Sequence, residues 1–255
     1  MALSDDTISW GKHEIKGPVH TYREKLMLRI VQRYAQGDKV LDAGCGTGSL
    51  AVKLSRGGFR VTGIDSSEDC VRWLGLKSIR ENLCSRIDVS RADVEVIPFL
   101  SNSFDVVTCG EVLEHLEDDA LAVGEFHRVL RAGGICVVTV PSDPELWSVC
   151  DVRAGHLRRY TRVALGDLFL ENGFEILYMG NWGFPLIRLY QRFLFRPYMA
   201  RPKNGLKSSS STNRPGGWAF EVISFLLSRL FLFDNLFLSG TWGVGEILVA
   251  CKETS

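Results

Sequence analysis

Between Lys39 and Gly48 the chain reads Lys-Val-Leu-Asp-Ala-Gly-Cys-Gly-Thr-Gly, an acid followed closely by three glycines at alternate positions. Gly44, Gly46 and Gly48 let the backbone turn sharply and let a ligand approach with no Cβ in the way. The spacing is Gly-x-Gly-x-Gly rather than the Gly-x-Gly-x-x-Gly of a dinucleotide fold. Asp42, ahead of the first glycine, suits a cationic ligand better than a pyrophosphate. About twenty residues on, Val61-Thr-Gly-Ile-Asp65 is a second short apolar run ending in a carboxylate, placed to accept both hydroxyls of a ribose. Ala92-Asp93-Val94 adds a third acid-bearing turn ahead of the apolar run around Val106-Val107.

A second group of candidates could act on a substrate. Gly155-His156-Leu-Arg158-Arg159-Tyr160-Thr161 forms a polar, aromatic loop after the fifth apolar strand, where ligands sit in open α/β sheets. His156 is the first candidate for a general base, because imidazole exchanges a proton near neutral pH. Arg159 and Tyr160, with Arg158, could bind an anionic substrate. The same cluster could instead pin the loop to the sheet through hydrogen bonds. His127, mid-helix among charges, reads as solvated.

The elements that must position these residues alternate along the chain. Met27, Ile30, Val31 and Tyr34 share a face of a helix starting near Thr21 and ended by Gly37. The first strand begins at Lys39. A helix from Ser49 stops at Gly57-Gly58, and the second strand is Arg60–Ile64. Ser67 is a plausible N-cap, with Glu68 and Asp69 in the first turn. Strands follow at Ile87–Ser90, Phe104–Cys109 and Ile135–Val140, with a helix carrying Phe126, Val129 and Leu130 inward before the last of these and Pro141 breaking it. A helix Val163–Asn172, a strand Phe174–Met179 and an edge strand Gly245–Cys251 complete the pattern. The expected fold is α/β: a doubly wound, mostly parallel seven-stranded sheet in a single domain spanning 1–255. Residues 1–36 form an N-terminal arm and helix, and 180–243 a helical lid or insertion.

The three motifs in order resemble the class I S-adenosylmethionine-dependent methyltransferases, in particular the small-molecule branch that includes the quinone-biosynthesis enzymes. The resemblance is close over Tyr34 to Val140 and looser elsewhere. It implies a Rossmann-like fold and S-adenosylmethionine as cofactor. Gly44, Cys45 and Gly46 would pack against the methionine and adenosine portions behind Asp42. Asp65 and Ser66 would meet the ribose, Asp93 and Val94 the adenine edge, and Glu111 the same pocket. Glu111, Glu114 and His115 match a Glu-x-x-Glu-His magnesium segment of the quinone-pathway O-methyltransferases. Mg²⁺ prefers oxygen to imidazole, so no metal is expected and Glu111 is assigned to the cofactor. The implied activity is methyl transfer, with O-methylation favoured, to a small hydrophobic or lipid-like acceptor. A non-catalytic S-adenosylmethionine-binding partner or sensor is the alternative, and an NAD-dependent oxidoreductase is disfavoured by the glycine spacing.

Lys plus Arg equals Asp plus Glu at 30 each, so no global field recruits nucleic acid. The seven cysteines form no Cys-x-x-Cys pair. Cys45, Cys136 and Cys251 fall in or beside buried strands, as small hydrophobes. Reduced thiols and an acidic start, Met-Ala-Leu-Ser-Asp-Asp, imply a cytoplasmic protein with no export signal. The insertion differs in character. Pro185–Tyr198 reads as an amphipathic helix carrying Arg188, Arg192 and Arg196, Lys203–Gly217 as a flexible loop, and Trp218–Leu238 as an apolar helix. The last could span a bilayer by length, but its three charges would be expensive in lipid. A buried or interfacial helix is expected, as a soluble lid, a dimer interface or a peripheral membrane contact through 185–238. The oligomeric state stays open.

Overall fold

In the computed structural model the described residues are 17–197, 217–238 and 240–253, with backbone alone for 217–221. The expected Lys203–Gly217 loop lies almost wholly outside them. Helix α1, Pro18–Tyr34, starts earlier than the Thr21 expected, because Pro18 presets a helical φ where no N–H is needed. Strand β1 (Lys39–Ala43) then leads to α2 (Ser49–Arg56), β2 (Arg60–Asp65), α3 (Glu68–Arg80), β3 (Ile87–Arg91) and β4 (Phe104–Gly110). Ser67 caps α3, its side chain accepting from the Cys70 N–H. Helix α4 (Asp119–Val129) runs directly into β5 (Leu130–Pro141), followed by α5 (Val149–Ala154), α6 (Arg162–Glu171) and β6 (Phe174–Trp182). The insertion contributes α7 (Leu186–Tyr190) and α8 (Gly217–Leu230), and β7 (Gly245–Lys252) closes the chain.

The seven strands lie in the order β3-β2-β1-β4-β5-β7-β6, with β7 antiparallel to both neighbours and β1 to β5 parallel. Alternation along each strand separates two cores. Val40, Val106 and Val137 join Tyr22, Leu26 and Leu54 on one face, while Leu41, Val107 and Val138 join Phe126 and Phe169 on the other. The strand order reverses between β1 and β4, and a crevice opens there at their carboxyl ends. That crevice fixes where a ligand can sit.

Several boundaries differ from expectation. Leu130 is buried, but as the first residue of β5, paired with Phe104, rather than as the end of a helix. Pro141 ends the strand opposite Gly245 instead of lying outside it. Strand β6 continues to Trp182, held by Asn181, whose amide donates to Glu246 (2.8 Å), so the insertion begins after it rather than at Gly180. The helix expected over Pro185–Tyr198 is divided: after α7 the chain widens into a π-helical turn, Gln191–Phe195. The apolar Trp218–Leu238 stretch is α8 followed by a 3-10 turn, Phe231–Phe237. In that turn Asp234 accepts from the N–H groups of Leu186 and Ile187, both at 2.9 Å, capping α7 from a distant part of the chain. Among the described residues no helix is long and apolar enough to cross a membrane. Cys45 and Cys136 are buried and Cys251 half-buried. His127 is not simply solvated; its ring meets Phe174 edge-on at 5.1 Å.

Candidate active site

The glycine turn leaves β1 at the reversal point. The Cys45 N–H bonds back to Ile64 O on β2 (2.8 Å), and the Gly46 N–H to Asp65 Oδ2 (2.9 Å). Asp65 Oδ1 takes the Ser67 N–H (2.9 Å), so this carboxylate both ties the turn and faces the crevice. All three glycines have left-handed φ, +70°, +52° and +81°. Their reasons differ. A Cβ on Gly44 would strike Val112, and one on Gly48 would strike Leu74. A Cβ on Gly46 meets nothing within 4 Å, because it would point into open cavity.

That cavity has a volume of about 1340 Å³. This exceeds the roughly 300–1,000 Å³ of a typical small-molecule site and leaves room for two ligands. Asp42, Gly44, Cys45, Gly46, Asp65, Ser66, Asp93, Val94 and Glu111 all line it. Asp93 caps its own turn, accepting from the Glu95 N–H (3.0 Å). Glu111 stands in the left-handed region (φ 60°), a conformation held by its N–H to Thr139 O at 2.9 Å.

Sequence reasoning missed the wall that α1 supplies. His20, Arg23, Glu24 and Met27 line the cavity beside the glycine turn, where His20 Nε2 lies 3.0 Å from Ser49 Oγ. Arg23 Nη1 lies 3.5 Å from Glu111 Oε2. Burial opposes ionisation of Glu24, but His20 and Lys53 (2.6 Å) outweigh it and hold the carboxyl well below its ordinary range. The apolar stripe of this helix, Met27 included, was legible; the polar stripe beside it, at positions 20, 23 and 24, carried the signal.

Three polar atoms at this cavity lack partners among the described residues: Asp42 Oδ2, Glu111 Oε1 and Arg23 Nε. Two carboxylates and one guanidinium on residues that line one space suit a zwitterion or a cation with an attached carboxylate. Burial pushes the Asp42 carboxyl up to about 7, against the Thr108 hydroxyl bond (2.8 Å) that favours its charge; Glu24 and Asp65 push it the same way as burial. Burial, with Asp42 and Asp65 nearby, likewise pushes the Cys45 thiol far up, so Cys45 is a neutral wall and not a nucleophile.

His156 reaches the cavity, whereas Arg159 and Tyr160 do not. Arg159 is buried and grips Asp151 with Nε (2.8 Å) and Nη2 (3.1 Å), while Nη1 donates to Ser142 O (2.9 Å). The Tyr160 hydroxyl lies 2.5 Å from Asp119 Oδ2 and 3.1 Å from Leu113 O. Arg158 holds Asp119 and the carbonyls of Leu116 and Glu117. These three side chains therefore pin the loop, and their assignment to substrate is corrected. His156 Nδ1 is 3.0 Å from Asp151 Oδ1. Burial works against the Asp151 charge, yet hydrogen bonds from His156 and Arg159 keep its carboxyl well below the usual range.

Beneath His156 lies Glu114, fully buried, with neither carboxyl oxygen hydrogen-bonded among the described residues and its pKa driven well up by burial and by Glu111. Ligand atoms of Glu114, His115 and His156 lie within 4.8 Å of one another. Glu111 is absent from that trio; it faces Arg23 instead. One carboxylate and two imidazoles form a donor set suited to a zinc-like ion rather than Mg²⁺.

Comparison with known proteins adds three findings. Residues 41–138 match the methyltransferase domain family. The chain is 36% identical over 125 residues to a ubiquinone biosynthesis O-methyltransferase of Psychrobacter cryohalolentis, covering 48% of this chain and 49% of that one. It thus spans about half the length of that relative. It is 31% identical over 186 residues to a demethylmenaquinone methyltransferase of Staphylococcus aureus, covering 71% of this chain and 72% of that one. Among solved structures, the [4+2]-cyclase SpnF superposes with a TM-score of 0.65 at 21% identity, over 98% of this chain and 87% of that one, a likeness of fold.

Proposed function

The chain belongs to the S-adenosylmethionine-dependent methyltransferase family, and from that premise we propose that it methylates a hydroxyl of a small, apolar, quinone-like acceptor. The observation that carries the reading is the set Asp42, Glu111 and Arg23, which line a cavity with room for two ligands and each keep one polar atom without a partner among the described residues. S-Adenosylmethionine presents a carboxylate, an ammonium and a sulfonium, which this arrangement of charges matches. Arg23 would take the carboxylate, and Asp42 with Glu111 the cationic centres. Asp65 would accept the ribose hydroxyls, and Asp93 with Val94 would edge the adenine. When bound, the cofactor supplies an electrophilic methyl group on a leaving thioether that needs no proton.

The remaining tasks are alignment, exclusion of water and removal of the acceptor proton. Tyr190, Leu194 and Phe195 line the cavity beside Met27 of α1 and give the acceptor an apolar berth. Asp151, ionised and fixed by Arg159, accepts a hydrogen bond from His156 Nδ1–H and so selects the tautomer with a lone pair on Nε2. That nitrogen, 3.8 Å from Glu114, is free to receive the hydroxyl proton. Burial and Glu111 drive the Glu114 pKa up, which disfavours a second negative charge beside His156.

The test is calorimetry with S-adenosylmethionine, S-adenosylhomocysteine and NAD in parallel, followed by a labelled-methyl screen of quinone and lipid extracts. Binding of the first two and label in an apolar hydroxyl-bearing product are expected. Binding without any labelled product would favour a sensor or partner protein, and binding of NAD alone would overturn the family-based reading.

A further inference from the structure

Arg188, Arg192 and Arg196 lie outside this chemistry and have no carboxylate partner among the described residues. With Leu146, Gln191 and Val244 they line a recess of about 80 Å³, far smaller than a metabolite site and suited to one compact anion. Gln191 also lines the large cavity, so recess and cavity are neighbours. The surface around them is apolar. Phe193 is 65% exposed, Leu194 62% and Trp242 65%. Arg188 donates to Trp242 O at 2.6 Å. From Trp242 a run of ring contacts passes through Phe184 (6.2 Å) and Phe237 (5.8 Å) to Phe233 (5.7 Å), itself half exposed.

Arginines with exposed tryptophan and phenylalanine beside them are the composition of a protein face that sits in the headgroup layer of a bilayer. We propose that this face docks on an anionic phospholipid surface. The arginine recess receives a lipid phosphate, the exposed rings enter the headgroup layer, and the cavity mouth at Leu194 and Phe195 turns toward the bilayer. Charge supports this occupant: from Pro185 to Pro197 the described chain carries three arginines and no acidic residue. A lipid surface is uniformly negative and asks for no shape complement. A symmetric contact with a second copy would set this basic stripe against itself. The apolar-acceptor reading gives the docking a use, but the docking is measured without cofactor or acceptor, so either can fail alone.

The experiment is co-sedimentation of the full chain with phosphatidylcholine vesicles, with and without phosphatidylglycerol, at low and high salt. Binding is expected only with phosphatidylglycerol and only at low salt. Arg192→Glu should reduce it about five-fold or more, since each basic residue near such a surface is worth roughly that factor. Arg192 is exposed, its guanidinium over the Phe193 ring at 5.8 Å, so this variant should keep its fold, checked by circular dichroism. Phe193→Ser with Trp242→Ser should weaken binding at low salt, where the wild type binds. Wild type left in the supernatant at low salt would overturn the proposal. So would binding that both variants retain, or thermal protection by inorganic phosphate with no vesicle binding, which would mark the recess as a small-anion site.

Discussion

At the scale of single residues, the site rests on groups whose charge the fold holds away from its ordinary state. Asp42, pushed up to about 7, is partly protonated in the free protein near neutrality. A cation bound beside it should drive that proton off. Affinity for S-adenosylmethionine is therefore expected to rise as pH increases from 5.5 through 7, with proton release seen as a buffer-dependent heat in calorimetry; Asp42→Asn should abolish both. The same shift sets a stability trend of opposite sign. A carboxyl raised above its unfolded value contributes fully below pH 4, and that contribution is lost between pH 4 and about 7. Asp151→Asn should leave cofactor affinity intact and lower kcat by ~10²–10⁴, as expected when a general base loses its tautomer. A kcat unchanged across the pH profile would remove the pair from catalysis. The residues assigned to the cofactor all line the cavity, and that placement was legible because each is local to a turn at a strand tip. Arg159 and Tyr160 misled because they neighbour His156 in sequence, while the loop sends them to Asp151 and Asp119, away from the cavity.

At the scale of elements, apolar runs and their breakers were enough to place every strand, to within a residue except at the start of β5 and the end of β6. Those ends depend on pairing across the sheet, which periodicity does not carry. The insertion was harder. Its helices are tied together by one buried carboxylate, Asp234, contributed from a 3-10 turn more than forty residues after the N–H groups it caps. Nothing local to either segment signals that bond. Asp234→Ala should destabilise the protein by ~1–3 kcal/mol through two orphaned N–H groups, measured by urea unfolding. Loss confined to α7 and the π-helical turn would appear as early proteolysis there with the sheet intact. The short helix α5 was equally hidden, because its capping box, Ser148 with Asp151, looks in sequence like part of a loop.

At the scale of the whole molecule, ligand and fold share one balance. Cofactor at a hundred times its Kd should stabilise the native state by about 2.7 kcal/mol, a rise in Tm of roughly 5–10 °C for a chain of this size. Asp65→Ala, losing hydrogen bonds of ~1.5–3 kcal/mol, should forfeit most of that rise at the same concentration; a full shift in the variant would sink the ribose assignment. Helix α1 gives the balance a second arm. One side of it, at Arg23 and Glu24, faces the cavity, and another, through the Tyr22 hydroxyl, donates to Asn235 of the insertion at 3.0 Å. A single helix thus touches both the cavity wall and the 3-10 turn that carries Phe233 and Phe237 of the face assigned to lipid. Two ligands that bias the same element must influence each other by an equal factor in each direction. Whatever tightening the cofactor lends to vesicle binding, the vesicle must return to the cofactor. The enzyme would then hold its methyl donor most firmly where its acceptor dissolves.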